Sequence, residues 1–359
     1  MKKIYSRIAL VGLTAVLAAA TLSACAEQAP AAGAASASGA YKIAFLMPDL
    51  ASTRYEQQDK PLFVAKMAEL CPDCEVIYSN ANASADTQQQ QANSAIAQGV
   101  NAIVIDAVDS KAAASIVVSA NAAKIPIIAY DRPIPDQKAD YYVSFDNEGI
   151  GKSIAQSLVD QVKPNAAKGG ILIINGSPTD AAAGLIKKGI HTAVDASGLT
   201  VLAEYDTPSW DPAKAQEWAS GQITQFGDKI IGVVAANDGT GGGAIAAFKA
   251  AGVTAVPPVS GNDAEVAAAQ RIIAGTQYNT ISKPISIVAN AAAEVAYALA
   301  QGKTVEAKTT LYDTPSQLFT PDVVTLKNIK QILFDSSIMT AAKVCTADYA
   351  AACATASIK

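Results

Sequence analysis

From Tyr41 onward the sequence alternates short apolar runs with longer segments in which apolar residues recur at helical spacing. Runs of four to seven residues rich in Val and Ile are typical of buried parallel strands, and the segments between them are typical of covering helices. The predicted strands are 42–47, 75–79, 102–106, 126–130, 141–145, 170–175, 201–205, 230–236, 258–261 and 278–282. The predicted helices include 58–70, 85–98, 111–123, 147–162, 180–197 and 212–226.

This alternation predicts an α/β fold in which parallel sheets are covered by helices on both faces. Ten strands are too many for one Rossmann-like sheet here, so we predict two doubly wound Rossmann-like lobes. A closed (β/α)₈ barrel is the alternative architecture. The length of 359 residues agrees with two compact lobes, because a single core stops growing at about 250–300 residues.

Most of the predicted strands are followed by polar or charged residues. In open α/β sheets, ligands bind beyond the carboxyl ends of the strands. Two lobes that face each other by those ends would direct these side chains into one cleft, whereas any single one of them could merely cap a helix. The candidates are Asp49, Arg54, Tyr55, Asp131, Arg132, Asp146, Asn147, Asn175, Ser177, Asp180, Asn237, Asp238, Asn262, Asp263 and Lys283.

The chemistry of these side chains suits a sugar. Asp and Asn exchange hydrogen bonds with ring hydroxyls, and Arg supplies a planar fork of donors. Tyr55 and Trp210 are the aromatic residues placed to stack on the C–H faces of a ring. A pair of aspartates could also serve a glycosidase, and the number of Asp residues alone does not exclude that function.

The N-terminus predicts export and lipid attachment. A positive start and thirteen apolar residues at 8–20 have the length of a signal peptide. Leu22-Ser23-Ala24-Cys25 resembles a bacterial lipobox, so we predict a lipoprotein signal peptide at 1–24 and acylation of Cys25. An ordinary signal peptide with a chance cysteine is the alternative. Residues 25–40 hold no bulky apolar residue and predict a flexible tether, which would anchor the protein to the outside of the cell membrane.

The four remaining cysteines predict two local disulfides, Cys71–Cys74 and Cys345–Cys353, because thiols outside the membrane tend to oxidise. A thioredoxin-like motif would need Cys71 at the start of a helix, whereas here it follows one.

Other signals favour neither a cofactor nor a metal. The net charge is −5 without a basic cluster, so we expect no nucleic-acid partner. Gly241-Gly242-Gly243 lacks the Gly-Lys-Ser/Thr that a P-loop needs. The only histidine, His191, lies in a helical segment flanked by lysines, which favours a surface position over a catalytic or metal site.

Seven segments carry a recognisable pattern: AYDRPI (129–134), YYVSFDNE (141–148), INGSPTD (174–180), AANDGTGGGAI (235–245), SGNDAE (260–265), AGTQYNTISKPI (274–285) and TPSQLFTP (314–321). With these segments the sequence resembles the type I periplasmic sugar-binding family of bacterial ABC transporters, in register from about residue 41 to 330. The resemblance is to the D-xylose-binding branch and to the related multi-sugar binders for glucose and galactose.

This resemblance implies two lobes joined by a three-strand hinge. The N-terminal lobe would hold residues 41–146 plus 284–304, and the C-terminal lobe residues 147–283 plus 305–359. It implies capture of a monosaccharide, with D-xylose first, by lobe closure, delivery to an ABC transporter permease, and no catalysis. Binding of glucose- or galactose-type aldoses, in import or in sensing with a membrane receptor, is the alternative. We expect a monomer.

The resemblance also assigns roles to single residues. Arg54 and Arg132 would bind hydroxyls, with Asp131 accepting from the sugar or orienting Arg132. Trp210 would stack on the ring, and Tyr55 stands where the family has a tryptophan. The predicted ligand-binding set is Arg54, Tyr55, Asp131, Arg132, Asp146, Asn147, Asp180, Trp210, Asn237, Asp263 and the hinge-side Lys283. Ala181 and Ala182 depart from the pair of asparagines in the xylose pattern.

Overall fold

Residues 40–359 are described by a computed structural model of the chain. The predicted signal peptide at 1–24, the predicted lipid attachment at Cys25 and all but the last residue of the predicted tether at 25–40 lie outside the described residues. Within 40–359, none of the helices combines the length and the apolar character needed to cross a membrane.

Twelve strands are present in the described residues. They are β1 (Lys42–Met47), β2 (Glu75–Asn80), β3 (Ala102–Ile105), β4 (Ile127–Tyr130), β5 (Tyr141–Phe145), β6 (Gly170–Asn175), β7 (Val201–Asp206), β8 (Ile230–Ala235), β9 (Asn279–Ser282), β10 (Thr309–Leu311), β11 (Thr314–Phe319) and β12 (Asp322–Thr325). The helices are α1 (Lys60–Leu70), α2 (Ala85–Ala97), α3 (Ala114–Ala122), α4 (Asn147–Val162), α5 (Ala181–Ser197), α6 (Pro212–Phe226), α7 (Asp238–Ala250), α8 (Val266–Ile273), α9 (Ile285–Ala300), α10 (Ala341–Val344) and α11 (Ala350–Thr355).

The strands form two main sheets, as predicted, and not a closed barrel. The first has the order β10-β11-β5-β4-β3-β1-β2 and is parallel except for the edge strand β10. The second has the order β7-β6-β8 and is parallel throughout. Strands β3 and β8 are buried along their whole length, which explains why they consist almost entirely of apolar residues.

The second sheet continues beyond β8 in a less regular way. Val259 makes a single parallel bridge to Val233, and its carbonyl accepts from the amide of Tyr278 just before β9. The predicted strand at 258–261 is therefore reduced to one bridge. β9 then pairs with β12 in antiparallel orientation.

Strands β10, β11 and β12 were not among the predicted strands. β11 pairs with β5, which places Thr309–Phe319 at the edge of the first sheet. The predicted boundary assigned all of 305–359 to the C-terminal lobe, and this pairing puts part of that segment with the N-terminal lobe instead.

The chain passes between the two sheets three times. The passages follow β5, β9 and β11, and they lie side by side because Phe319 pairs with Phe145 and Asp322 pairs with Ser282. This arrangement matches the three-strand hinge that the family resemblance implies. After the second passage α9 returns to pack on α1 and the first sheet.

Helices α4 and α5 pack with their backbones in close contact. A Cβ atom on Gly151 would lie 1.9 Å from the carbonyl oxygen of Ile186, and one on Gly189 would lie 2.0 Å from that of Glu148. No side chain fits at either position, so the two glycines fix α5 against α4.

Both predicted disulfides are present. Cys71–Cys74 closes the turn between α1 and β2, and Cys345–Cys353 joins the segment after α10 to α11. The buried side chain of Cys353 packs in a small apolar cluster with Ile272, Leu333 and Val344. The second disulfide thereby secures the C-terminal segment to the second lobe.

Candidate functional site

A cavity lies between the two main sheets, where side chains from the carboxyl ends of both meet. The empty space between its lining atoms is about 350 Å³, including the part that opens to solvent. Ten of the eleven predicted ligand-binding residues line it, namely Arg54, Tyr55, Asp131, Arg132, Asn147, Asp180, Trp210, Asn237, Asp263 and Lys283. Ser52, Ala182, Ile186 and Asn262 complete the lining.

Arg132, in the turn after β4, is held by acceptors from both sheets. Its Nη2 donates to Asp49 Oδ2 at 3.0 Å and to the Tyr55 hydroxyl at 3.1 Å. Its Nη1 donates to the carbonyl oxygen of Ala107 at 3.0 Å. Its Nε lies 3.1 Å from Oδ2 of Asp180, which belongs to the second sheet. The guanidinium is therefore fixed in place within the protein.

Asp106 is a third carboxylate beside Arg132. It is fully buried, and its Oδ1 lies 3.2 Å from Arg132 Nε, yet neither of its carboxylate oxygens makes a hydrogen bond within residues 40–359. Burial raises the pKa of Asp106 well above its usual value, against the opposing charge of Arg132. Burial likewise raises the pKa of Asp180. Burial therefore favours the neutral form of Asp106 and Asp180, while the guanidinium of Arg132 favours their charged form.

Arg54 forms the second buried cationic centre. Its Nε and Nη2 donate to the two oxygens of Asp59 at 3.0 and 2.7 Å, a bidentate pair that holds the guanidinium plane. Tyr130 also donates to Asp59, at 2.5 Å. The remaining Nη1 lies 3.3 Å from Asp131 and 3.7 Å from Asp263, which belong to different lobes.

Asp131 is a partly buried and ionised acceptor. Burial opposes its charge, but the positive charges of Arg54, Lys283 and Arg132 outweigh burial and lower its pKa to about 2. Its backbone has φ +58°, a left-handed conformation, and its carbonyl accepts from the hydroxyls of Tyr142 and Ser144 at 2.7 and 2.8 Å. These bonds keep the turn after β4 in a strained conformation that directs the carboxylate into the cavity.

Lys283, directly after β9, lies at the hinge side of the cavity. Its Nζ is 2.8 Å from Asp263 and 3.9 Å from Asp131, so one ammonium group bridges carboxylates of both lobes. Asp131 therefore pairs with Arg54 and Lys283. The suggested role of Asp131 in orienting Arg132 is wrong, because Asp49, Asp106 and Asp180 hold that guanidinium.

Trp210 forms part of the wall from the second lobe. Its indole Nε1 donates to Asp180 Oδ2 at 2.9 Å, and both Ser209 and Trp210 have φ +56°. Gly176 lies directly against the ring, because a Cβ atom there would be 2.1 Å from two indole carbons. The strained turn and this glycine together set the position of the ring.

Three predicted site residues accept a hydrogen bond as the N-cap of a helix, and two of them also line the cavity. Asp180 Oδ1 accepts from the amide of Ala182 at 2.8 Å, and Asn237 Oδ1 accepts from that of Thr240 at 2.9 Å, while both residues line the cavity. Asp146 accepts from the amide of Gly149 at 3.0 Å but is exposed and lies outside the cavity. Its placement in the binding set is wrong, since its function here is to cap α4.

Asn262 is a site residue that the predicted set omitted, although it stands in a strand-end segment. It is 2% exposed, lines the cavity, and its Oδ1 has no hydrogen-bond partner among the described residues. A buried amide oxygen without a partner costs free energy that a ligand hydroxyl would recover.

Behind the cavity lies a second group of acids on the second lobe. Asp238 accepts from Gln277, from the hydroxyl of Thr280 and from the amide of Glu265, all at 2.8–2.9 Å. Burial and the charge of Glu265 raise the pKa of Asp238 to about 8, against the opposing charge of Arg271.

Two further contacts join the lobes outside the cavity. Glu265 Oε1 accepts from the amide and the hydroxyl of Thr53, both at 3.2 Å. On the other side, the Ser110 amide donates to the Thr179 carbonyl at 2.9 Å and its Oγ accepts from the Ala181 amide at 3.0 Å. The lobes are therefore in direct contact on either side of the cavity.

A family model described as "Periplasmic binding protein domain" matches residues 43–304. A D-xylose-binding periplasmic protein of Escherichia coli strain K12 is 37% identical over 297 residues, which cover 80% of this chain and 88% of that protein. A D-xylose-binding periplasmic protein of Haemophilus influenzae is 33% identical over 307 residues, with 83% and 90% covered.

Solved structures show the same architecture. A carbohydrate transporter solute-binding protein from Chloroflexus aurantiacus, in complex with D-glucose, has a TM-score of 0.76 at 26% identity, covering 84% of this chain and 97% of that one. An ABC transporter solute-binding protein from Clostridium phytofermentans with bound β-D-glucose has a TM-score of 0.75 at 25% identity, with 84% and 99% covered.

Proposed function

The chain belongs to the periplasmic binding protein family, and on that premise we propose that it captures a monosaccharide, with D-xylose as the first candidate. The sugar binds between the lobes and is delivered to the permease of an ABC importer. Attachment through an acylated Cys25 holds the protein at the outer face of the cell membrane, and it acts as a monomer.

The observation that carries this proposal is the meeting of hydrogen-bonding groups from both lobes at one cavity. Arg54, Asp131 and Arg132 come from the first lobe, while Asn262 and Asp263 come from the second. A ring with hydroxyls on its rim can bond to both sets at once, which stabilises the closed arrangement over an open one.

The charge balance supports a neutral ligand. The three cations of the lining, Arg54, Arg132 and Lys283, each lie within 4 Å of at least one carboxylate. An anionic sugar would therefore be repelled by the carboxylates of the lining, and every cation there is already paired with a carboxylate. Names of the relatives support the same class, since they refer to xylose, to multiple sugars and to glucose.

We also propose that the cavity carries out no reaction. Each carboxylate of the lining is engaged within the protein: Asp131 by Arg54, Asp263 by Lys283, and Asp180 by Arg132 and the Trp210 indole. A glycosidase needs one carboxylic acid and one carboxylate free to act on the glycosidic oxygen and the anomeric carbon.

Isothermal titration of the mature protein with D-xylose, D-glucose, D-galactose, D-ribose and L-arabinose tests the function. We expect saturable 1:1 binding of at least one of them, with D-xylose among the tightest. Absence of binding to all five would overturn the proposal. Incubation with an aryl xyloside tests the absence of catalysis, and release of the aryl group would contradict it.

A further inference from the structure

One side of the cavity is apolar, unlike the rest of its lining. Ala182 and Ile186 lie one helical turn apart on α5, so their side chains are neighbours on one face. Both line the cavity, and they are 6% and 3% exposed. We call these two residues the apolar wall.

The first two backbone amides of α5, beside the apolar wall, are not free to donate a hydrogen bond to a ligand oxygen. The amide of Ala181 donates to Ser110 Oγ at 3.0 Å, and the amide of Ala182 donates to Asp180 Oδ1 at 2.8 Å. Two of the amides at the start of α5, where a helix usually presents amides to a ligand, are therefore already engaged within the protein.

The apolar wall is also fixed in position. Gly151 and Gly189 bring α4 and α5 so close that α5 has no room to move toward α4. A ligand group that finds no partner at the wall is therefore not accommodated by a shift of the helix.

We propose that the bound aldopyranose presents to the apolar wall a ring carbon that carries hydrogen or a methyl group, and not a hydroxymethyl group. This inference rests on the proposed function and names its ligand class: pentopyranoses and 6-deoxyhexopyranoses. A hydroxymethyl oxygen would be buried against Ala182 and Ile186 without a hydrogen-bond partner, whereas a methyl group would gain apolar contact there.

Titration with a ligand series of constant ring stereochemistry tests the inference. D-Xylose, 6-deoxy-D-glucose and D-glucose carry hydrogen, methyl and hydroxymethyl at the same ring position, and L-arabinose, D-fucose and D-galactose form the parallel series. In the series that binds, we expect the methyl sugar to bind at least as tightly as the pentose. We expect the hydroxymethyl sugar to bind about 10- to 100-fold more weakly than the methyl sugar.

The outcomes of the titrations distinguish failure of this inference from failure of the proposed function. If no member of either series binds, the inference is overturned, and if D-ribose does not bind either, the proposed function fails as well. If sugars bind and the hydroxymethyl member equals or exceeds its methyl counterpart, the function stands and the inference is overturned.

A matched pair of variants tests the residue directly. Ile186→Thr and Ile186→Val both shorten the side chain, but only threonine adds a hydroxyl that can accept from the ligand. We expect Ile186→Thr to reduce the preference for the methyl sugar over the hydroxymethyl sugar by about fivefold or more, and Ile186→Val to retain it. If the ratio of the affinities for the methyl and hydroxymethyl sugars is the same in both variants, the assignment is contradicted. If Ile186→Thr does not fold, the ligand series on the unmodified protein decides.

Discussion

The guanidinium of Arg132 lies 3.1 Å from the carboxylate of Asp180, although the two residues follow strands of different sheets. Both side chains are buried, and Arg132 is held at the same time by Asp49 of its own lobe. This ion pair therefore links the lobes at the cavity wall, and we expect ligand binding and lobe closure to depend on the same groups.

Replacing Arg132 by methionine should weaken sugar binding by about 3 kcal/mol or more. The substitution keeps an unbranched aliphatic stem but removes the guanidinium, which leaves buried carboxylates without their cation. Removal of one partner of a buried ion pair typically costs about 3–5 kcal/mol. Titration with the best-bound sugar measures the loss, and denaturant unfolding measures the effect on stability.

Lys188→Ala is the control for Arg132→Met, because the Lys188–Glu148 pair is largely exposed, at 66% and 43% of the two side chains. Exposed pairs contribute little, so binding should be unchanged. An affinity unaffected by Arg132→Met would mean that the ligand binds elsewhere.

Gly176→Ala should displace the Trp210 ring and weaken binding by about 1–3 kcal/mol, the range of an aromatic stacking contact. The added methyl would lie 2.1 Å from the indole, so the ring has to move. The matched control is Gly184→Ala on α5, where nothing lies within 4 Å of the new methyl group. Tryptophan fluorescence together with titration checks both variants, and identical behaviour of the two would refute this role of Gly176.

Ser110→Ala should weaken binding by about 0.5–1.5 kcal/mol, although the Ser110 side chain is not expected to contact the sugar. Ser110 does not line the cavity, but its Oγ accepts from the Ala181 amide of the other lobe. Loss of this bond destabilises the closed state, and apparent affinity follows the population of that state. Titration measures the change, and Ser119→Ala is the control because Ser119 Oγ donates only to a carbonyl of its own helix. Equal affinities of the two variants would show that the Ser110 contact does not bias closure.

Stability should fall as the pH rises from about 4 through about 8. The folded-state pKa of Asp238 is about 8, raised by burial and by Glu265, whereas an unfolded aspartate ionises near 4. In that window the folded protein retains a proton that the unfolded chain has lost, so the contribution of Asp238 is present at low pH and disappears as the pH rises. The slope for this single group is at most about 1.4 kcal/mol per pH unit.

Glu265→Gln should reduce the loss of stability that occurs as the pH rises. Glutamine can still accept the hydrogen bond from Thr53, but it lacks the negative charge that helps to raise the pKa of Asp238. The substitution also removes the carboxyl group of Glu265, whose own pKa is raised in the folded protein. Unfolding free energies measured from pH 5 to 8 test this, with the exposed Glu217→Gln as the control. Parallel curves for Glu265→Gln and the unmodified protein would disprove the coupling.

The sequence predicted the strands that contain a local apolar run, including the half-buried β2 and β7, but it did not predict β10, β11 and β12. β1, β5 and β6 have the predicted bounds, because a run of buried Val, Ile and aromatic residues is visible locally. β10 has no buried residue, and β11 has two and includes Pro315, so the strand conformation of β11 depends on pairing with β5 and that of β10 on pairing with β11. That pairing is a long-range contact that no local pattern contains.

The sequence could predict that the site is formed by residues at strand ends. It could not predict which of those residues line the cavity. Asp146 and Asp180 both stand between a strand and a helix and both cap that helix, yet only Asp180 reaches the cavity. The difference comes from the position of each helix start relative to the other lobe. Ala182 and Ile186 read as ordinary residues of a helix, so their place in the lining needs the structure.

The contribution of β11 to the first sheet has a consequence for how the chain reaches its native state. The sheet stays incomplete during synthesis until residue 319 has emerged, which makes its completion a late event and favours slow folding. Until then β5, with aromatic residues at Tyr141, Tyr142 and Phe145, is an unpaired edge. A chain cut before Thr309 would keep that edge open permanently and would be prone to aggregate by strand pairing between copies.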